Sequence, residues 1–328
     1  MPNRKNIIAV TGGAGFIGSN FIRFYLRHTR TGEVYNIDNL SYCGRIENTL
    51  DFRDSPRYHF IKEDITDEMA MKRVFAMIKP DTVINFAAQT HVDRSIKDPR
   101  PFLETDIMGV FNLLEANRDN KHLKKFIQIS TDEVYGSIEK GSFRENSPVC
   151  PSSPYSASKL GGERIAHSYH VTYGMPVLVI RGSNNYGPFQ YPEKFIPRNV
   201  VRLLSGKNAL LYAAGKNIRD WIYVEDFVRG IMTVLKKGRP GEIYNIGGAD
   251  ERTNIELLGA ILSALGLGKE RISFVKDRPG HDLRYSISCG KVRALGWRKE
   301  VPLSRGLKET IEWYKNNKSW WKDILKEI

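Results

Sequence analysis

Residues 7–25 constrain the fold more than any other stretch of this chain. Ile7-Ile8-Ala9-Val10-Thr11 is a short apolar run, Gly12-Gly13-Ala14-Gly15-Phe16-Ile17-Gly18 follows at once, and Phe21, Ile22 and Tyr25 then recur at helical spacing. The order is strand, glycine turn, helix. Gly12 permits the tight turn, Gly15 lets backbone approach a pyrophosphate, and Gly18 lets helix and strand pack, with the helix N-terminus facing the phosphates. A second strand over 33–37 ends at Asp38, about 20 residues past the last glycine. A carboxylate there accepts hydrogen bonds from a ribose diol and repels a 2′-phosphate, so NAD is expected rather than NADP.

Downstream the pattern alternates. Strands are expected at 58–61, 82–86, 125–129 and 177–180, with helices at 68–78 and 102–117 between them, which implies right-handed crossovers and a parallel sheet. After Arg181 the regularity breaks into short strands (222–224, 243–246), helices (255–265, 307–314) and loops rich in Gly and Pro. The expected class is α/β: a Rossmann-type doubly wound parallel sheet over 1–181, with a smaller mixed α/β C-terminal substrate lobe over 182–328 and a shared cleft at the carboxyl ends of the strands.

Composition narrows the class of function. A chain of 37.5 kDa with 41% hydrophobic residues can bury a large core. No apolar run approaches the roughly 18 residues a membrane span needs, and a soluble, cytoplasmic protein is expected. Cys43, Cys150 and Cys289 lie far apart without a C-x-x-C partner, which gives neither a disulfide framework nor a metal site. The formal charge of +13 comes from Lys and Arg interleaved with acids. No recognition motif for nucleic acid accompanies it, and the excess suits a solvated basic face or a polyanionic small substrate.

The chemistry is concentrated in Ser130-Thr131-Asp132-Glu133-Val134-Tyr135-Gly136, followed by Tyr155 and Lys159. A tyrosine and a lysine four residues apart lie on one helical face and can serve hydride transfer, while two extra carboxylates beside them can move other protons. Two neighbouring carboxyls in a partly desolvated pocket split their pKa values, one ionised and one protonated; sequence leaves open which is raised. Lys159 is expected to lower the pKa of Tyr155 so that the phenolate can take a hydroxyl proton.

Several motifs in order carry a resemblance over essentially the whole chain. They are the glycine turn, Ala87-Ala88-Gln89-Thr90-His91-Val92-Asp93-Arg94-Ser95, Thr131-Asp132-Glu133, Tyr155 with Lys159, Ser183-Asn184-Asn185-Tyr186-Gly187-Pro188, Arg219-Asp220-Trp221 and Asp277-Arg278-Pro279-Gly280-His281. The chain resembles an extended short-chain dehydrogenase and, within that superfamily, the dTDP-glucose 4,6-dehydratases. The resemblance implies oxidation at sugar C4, elimination of water across C5 and C6, and return of the hydride to C6. It makes Tyr155 and Lys159 the dehydrogenase pair, Thr131 a donor to the C4 oxygen, Glu133 the base at C5 and Asp132 the acid at C6.

Other positions follow from the same resemblance. Phe16 and Ile17 would lie over the pyrophosphate; Asp38, Asn39, Leu40 and Ser41 around the adenosine ribose; Asp64 and Ile65 at the adenine. Ala87, Ala88 and Thr105 would line the nicotinamide side, with Asn185 also near the cofactor. Thr90, Thr131 and Asn184 would face the hexose, and Arg219, Asn254, Arg278 and His281 the nucleotide diphosphate, where a guanidinium fork suits phosphate oxygens. His91 can equally satisfy a structural hydrogen bond and is left outside the site. The resemblance also implies a homodimer paired through the helix from Tyr155 towards Tyr173 and the helix over 102–117, whose Val110, Phe111 and Leu114 recur at helical spacing and serve either that pairing or the intrachain core.

The chain departs from the family pattern at three places. Gln89 stands where Glu is usual, Asp106 where Asn is usual, and Leu210-Leu211-Tyr212-Ala213-Ala214-Gly215 replaces a Pro-x-Tyr-Gly-Asp-Gly segment that approaches the base. The last change leaves a UDP-glucose 4,6-dehydratase as the alternative. A 4-epimerase needs no acid–base pair, and a decarboxylase needs a non-acidic residue at position 132, so Asp132 and Glu133 argue against both.

Overall fold

The computed structural model describes residues 6–276 and 282–326. Its largest sheet has seven parallel strands, the first six of them consecutive in the chain: β1 (Ile7–Thr11), β2 (Glu33–Ile37), β3 (Tyr58–Ile61), β4 (Thr82–Asn85), β5 (Lys125–Thr131) and β6 (Val177–Gly182). The spatial order β3-β2-β1-β4-β5-β6 reverses direction at β1, and the cleft opens at the carboxyl ends beside that reversal. Buried on both faces, the strands read as apolar runs. Ile8 and Val10 of β1 pack on the side of helix α1 (Phe16–His28), while Ala9 points to the opposite layer.

That opposite layer holds α2 (Glu68–Ile78), the short α3 (Val92–Lys97) and α4 (Arg100–Leu103), a π-turn (Glu104–Gly109), α5 (Val110–Asn117) and α6 (Pro154–Tyr173). One helix over 102–117 was expected; instead α4, the π-turn and α5 form a broken run. Val110 and Leu114, expected on a subunit-pairing face, are fully buried with Val74 and Phe126 inside the chain, and Phe111 only packs against that cluster. Burial of each large apolar side chain is worth roughly 1.5–3 kcal/mol. Large apolar residues left exposed in this layer are Met69 and Met77 on α2, Ile96 on α3, Leu103 on α4, Met108 in the π-turn, and Val171 and Tyr173 on α6.

Beyond β6 come β7 (Asn184–Tyr186), α7 (Phe195–Leu204), β8 (Ala209–Tyr212), β9 (Ile218–Tyr223), α8 (Val224–Lys237), β10 (Ile243–Ile246), β11 (Glu251–Thr253), α9 (Asn254–Ala264) and β12 (Ile272–Val275). β11, β9 and β7 form one small sheet, and β12 with β8 another. A second core of Tyr186, Val200, Leu211, Leu258, Ile261 and Tyr314 lies beneath them. The boundary at 181/182 is not a boundary of the sheet. β10 pairs parallel to β6 as the seventh strand, and Phe227, Val228 and Ile231 of α8 bury against the α1 face. The chain returns because the outer edge of β6 and the α1 layer both expose surface that β10 and α8 cover.

Candidate active site

Each part of the site begins with a local constraint. Gly12 has φ +70°, and a Cβ there would stand 2.5 Å from the Ala87 nitrogen. A Cβ on Gly18 would come within 2.4 Å of the Gly12 carbonyl oxygen. Turn, helix and the segment after β4 therefore close to a distance that only glycine allows. The N-cap of α1 is Gly15, which has no side chain to offer, so the first N–H groups of α1 face the cleft available to an anion. At the end of β2 the buried Asp38 accepts from Ala14 N–H at 2.9 Å and Leu40 N–H at 2.8 Å, and burial raises its pKa. Asn39 donates to Asp64 at 2.6 Å. These groups fit a dinucleotide: glycine-bounded backbone for the diphosphate and a carboxylate for the ribose.

The catalytic segment stands across the cleft. β5 delivers Thr131 at its end, and Asp132–Tyr135 turn at once into a single 3₁₀ turn, with Thr131 Oγ1 accepting from Glu133 N–H at 3.3 Å and donating to Asp132 Oδ1 at 3.3 Å. Asp132 is 3% exposed and its Oδ2 has no hydrogen-bond partner. Burial, then the charges of Glu133 and Asp220, push its carboxyl well above the usual range, and Arg219 opposes them. Burial thus favours the protonated form of Asp132 relative to an exposed carboxyl.

Tyr155 and Lys159 ride on α6, whose first turn is fixed by Pro154 and a Ser153/Ser156 capping box. Both are buried on one helical face. The Tyr155 pKa is raised. Burial is the first cause, the charges of Glu133 and Asp106 add to it, and a hydrogen bond with Thr131 opposes it. Lys159 itself is pushed down by burial and held up by Asp106 and Glu163.

A cleft of about 300 Å³ joins these parts. Gly12, Gly15, Phe16, Ile17, Gly18, Asp38, Asn39, Ser41, Asp64, Ile65, Ala87, Ala88, Thr105 and Asn185 line it, as do Thr90, Asn184, Thr131, Asp132, Glu133, Tyr155 and Lys159. Leu40 does not; it contributes its backbone N–H to Asp38. Arg219 and Asn254 also stand off the wall. Arg219 spends its guanidinium on the carbonyls of Ile218, Asp282 and Leu283 and stacks over Tyr285, while Asn254 opens α9. Arg278 and His281 lie outside the described residues. His91 caps α3, its Nδ1 accepting from Arg94 N–H at 3.4 Å, and takes no place in the wall.

Sequence reasoning missed the far wall, formed by Gln190, Tyr191, Glu193, Lys194, Phe195 and Trp221. Lys194 Nζ donates to the Thr90 carbonyl, and the buried Glu193 accepts from Tyr42 Oη at 3.2 Å. A buried acid followed by a lysine just past Gly187-Pro188 is the signal that could have drawn attention to them. Cys43 also lines the cleft, and burial pushes its thiol up to about 12, away from the thiolate form. Asn184 Oδ1, Asn185 Oδ1, Ser130 Oγ and Trp221 Nε1 are buried in this wall without hydrogen-bond partners, as expected of a surface built for a polar ligand.

A doubly wound sheet, a glycine turn under an α1 N-terminus and a Tyr155–Lys159 pair on one helix define an extended short-chain dehydrogenase/reductase. Comparison with known proteins goes further. A family model described as GDP-mannose 4,6 dehydratase matches residues 9–310. The chain is 44% identical over 340 residues to dTDP-glucose 4,6-dehydratase of Neisseria meningitidis serogroup B, covering 97% of this chain and 96% of that one. It is 46% identical over 320 residues to the enzyme of the same name from Actinoplanes, covering 96% and 99%. The crystal structure of DesIV, a dTDP-glucose 4,6-dehydratase from Streptomyces venezuelae with NAD and TYD bound, superposes with a TM-score of 0.94 at 45% identity, over 97% of this chain and 99% of that one. The chain belongs to the dTDP-glucose 4,6-dehydratase family.

Proposed function

We propose that this chain converts dTDP-glucose to dTDP-4-keto-6-deoxyglucose and water, with NAD as a cofactor regenerated in each turnover. The observation that carries the reading is the buried Asp132, its carboxyl raised by burial, beside Glu133 in the same cleft as Tyr155 and Lys159. An epimerase has no use for that pair. The relatives bear the thymidine-linked name, which supports the dTDP sugar over the UDP alternative.

The glycine turn, Asp38 and Lys159 would hold NAD, which would supply the acceptor for the C4 hydride and return that hydride to C6. Tyr155 takes the C4 hydroxyl proton while Thr131 hydrogen-bonds the same oxygen. Because burial holds Tyr155 as a phenol, Lys159 on the same face has to stabilise the phenolate as the charge develops. The C4 ketone acidifies the C5 proton, Glu133 removes it, and Asp132 protonates the departing C6 hydroxyl. The second lobe, 182–328, supplies substrate contacts, with Asn184 and the wall from Gln190 to Phe195 facing the sugar; 1–181 supplies cofactor contacts and catalysis.

The protein acts as a cytoplasmic homodimer in this reading. Support comes from the exposure of Leu103, Met108, Val171 and Tyr173 on α4, the π-turn and α6, the segments that the family resemblance pairs. Among the described residues no helix is long and apolar enough to cross a membrane.

Purified protein incubated with dTDP-glucose and with UDP-glucose separately should give 4-keto-6-deoxy product with loss of water, faster from the thymidine sugar. Sugar deuterated at C4 should carry the label at C6 in the product. Label appearing in free nicotinamide, or NADH accumulating in step with product, would overturn the reading.

A further inference from the structure

Arg181 and Tyr135 are among the largest fully buried side chains of the molecule, and the mechanism above gives neither a part. Arg181 stands on β6 in register with Ser130 of β5, the residue before Thr131, and with Asn245 of β10. Its side chain leaves that row towards α6. Nε donates to Glu163 Oε2 at 2.9 Å and Nη2 to Glu163 Oε1, so the guanidinium fork takes both carboxylate oxygens. Glu163 is itself buried, about one helical turn past Lys159 on α6. The same guanidinium lies over the ring of Tyr135, its Cζ 4.5 Å from the centroid.

Tyr135 closes the 3₁₀ turn that begins with Asp132 and Glu133. Its ring stacks on Phe143, with centroids 4.9 Å apart and planes 10° from parallel, and its hydroxyl donates to Asn245 Oδ1 at 2.9 Å. Asn245 is fixed in turn: its N–H donates to Glu145 at 3.1 Å and its Nδ2 to the Phe143 carbonyl at 3.4 Å. The turn bearing the acid pair and the helix bearing Tyr155 and Lys159 therefore meet on one guanidinium.

The chemistry divides along the same line. Oxidation at C4 uses Tyr155, Lys159 and Thr131, whereas elimination needs Asp132 and Glu133 aimed at a sugar that Tyr155 and Thr131 already hold. A displacement of the turn against the helix by about 1 Å leaves the first set intact and costs the second up to about 10²-fold. We propose that Arg181 is a positioning residue for elimination: bidentate to Glu163 and seated on Tyr135, it sets the turn carrying Asp132 and Glu133 at its working distance from Tyr155 and Lys159. A lysine at 181 would keep the charge but has neither the fork nor the planar face.

The inference rests on the proposed function for its division of steps, and one arm of its test is independent of turnover. In a single turnover of the NAD-loaded enzyme with dTDP-glucose, absorbance of bound NADH reads C4 oxidation, and the mass of the quenched sugar shows when water is lost. Arg181→Lys should oxidise C4 within about threefold of the wild-type rate and lose water about 10–10²-fold more slowly, so that 4-keto hexose and bound NADH accumulate together. Equal slowing of both steps, or unchanged water loss, in a folded variant would overturn the proposal. Should Arg181→Lys fail to fold, Arg181→Met combined with Glu163→Met removes both charges, so that neither is left buried alone. The double variant should show the same selective loss, and an unchanged ratio of the two rates would count equally against the proposal. Hydrogen exchange supplies the independent arm. The Glu133 N–H is held by Thr131 Oγ1 and the Gly136 N–H by the Glu133 carbonyl, and amides of residues 132–136 should exchange about tenfold faster in Arg181→Lys. Unchanged exchange there would sink the positioning role. Absence of product from wild-type enzyme would sink the dehydratase reading and leave the exchange result standing.

Discussion

The two ends of the cleft are built on different principles. The cofactor end is assembled from consecutive carboxyl ends of one parallel sheet, and its contacts are set by backbone: a glycine turn, the N-terminus of α1, and Asp38 at the end of β2. The substrate end gathers residues from β7, α7, β9 and loops of the second lobe, and it is built from side chains. Arg219 there is tied to three backbone carbonyls and Glu193 to Tyr42. A backbone site is legible as a short motif. A side-chain site assembled from distant segments is not.

The largest expected effects lie where the two ends meet. Tyr155→Phe should lower C4 hydride removal by about 10²–10⁴-fold. Asp132→Asn and Glu133→Gln should still permit hydride removal but stall elimination, leaving bound NADH visible by absorbance. Because the Asp132 carboxyl is raised, its acid form persists above the ordinary carboxylate range. Elimination should then decline as pH rises through that raised value, a limb that Asp132→Asn removes. Normal elimination in both carboxamide variants would erase the distinction between the dehydrogenase pair and the acid pair.

At the cofactor end, Gly18→Ala forces a Cβ to 2.4 Å from the Gly12 oxygen. It should cost about 1–3 kcal/mol of stability. NAD retention, measured by release on gel filtration, should fall with it, while the second lobe keeps its structure. A variant that holds NAD normally would show that the turn tolerates displacement and that the cofactor end is less rigid than its glycines suggest.

At the substrate end, Arg219→Met tests whether a buried guanidinium serves the fold or the ligand. With three carbonyls losing their donor, the melting temperature should fall by the equivalent of about 1–3 kcal/mol, accompanied by a higher KM. A higher KM with an unchanged melting temperature would return Arg219 to the ligand and bring the two ends closer in kind.

The smallest effect concerns the pair that fastens β11 to the loop before α10 (Gly290–Ala294): Arg284 meets Glu251 at 2.7 Å. Burial would raise the Glu251 carboxyl, but hydrogen bonds from Arg284 and Ser286 hold it below its ordinary value. A lowered folded pKa contributes stability above the unfolded pKa and loses it as pH falls through the folded one. Arg284→Met should therefore destabilise by under about 1 kcal/mol near neutrality, with the difference closing in acid. A difference independent of pH would assign the effect to packing.

The sequence by itself determined the first sheet and the cofactor end. Strand periodicity located β2 and β3 at their observed bounds, and the glycine spacing with Asp38 followed from backbone geometry that needs no partner element. It also supplied Thr131, Asp132, Glu133, Tyr155 and Lys159, because each stands beside a local signal: a strand end, or helical spacing of four. Tertiary structure alone decided the rest. Return of β10 and α8 to the first sheet depends on which edge and face lie open after β6, a property of packed layers rather than of local pattern. Burial of Val110 and Leu114 within the chain, and of Asp132 with an unpartnered oxygen, depends on what the fold brings against them. The same holds for charge: a sequence lists Glu163 and Arg181, but only the packing of α6 on β6 makes them a buried pair.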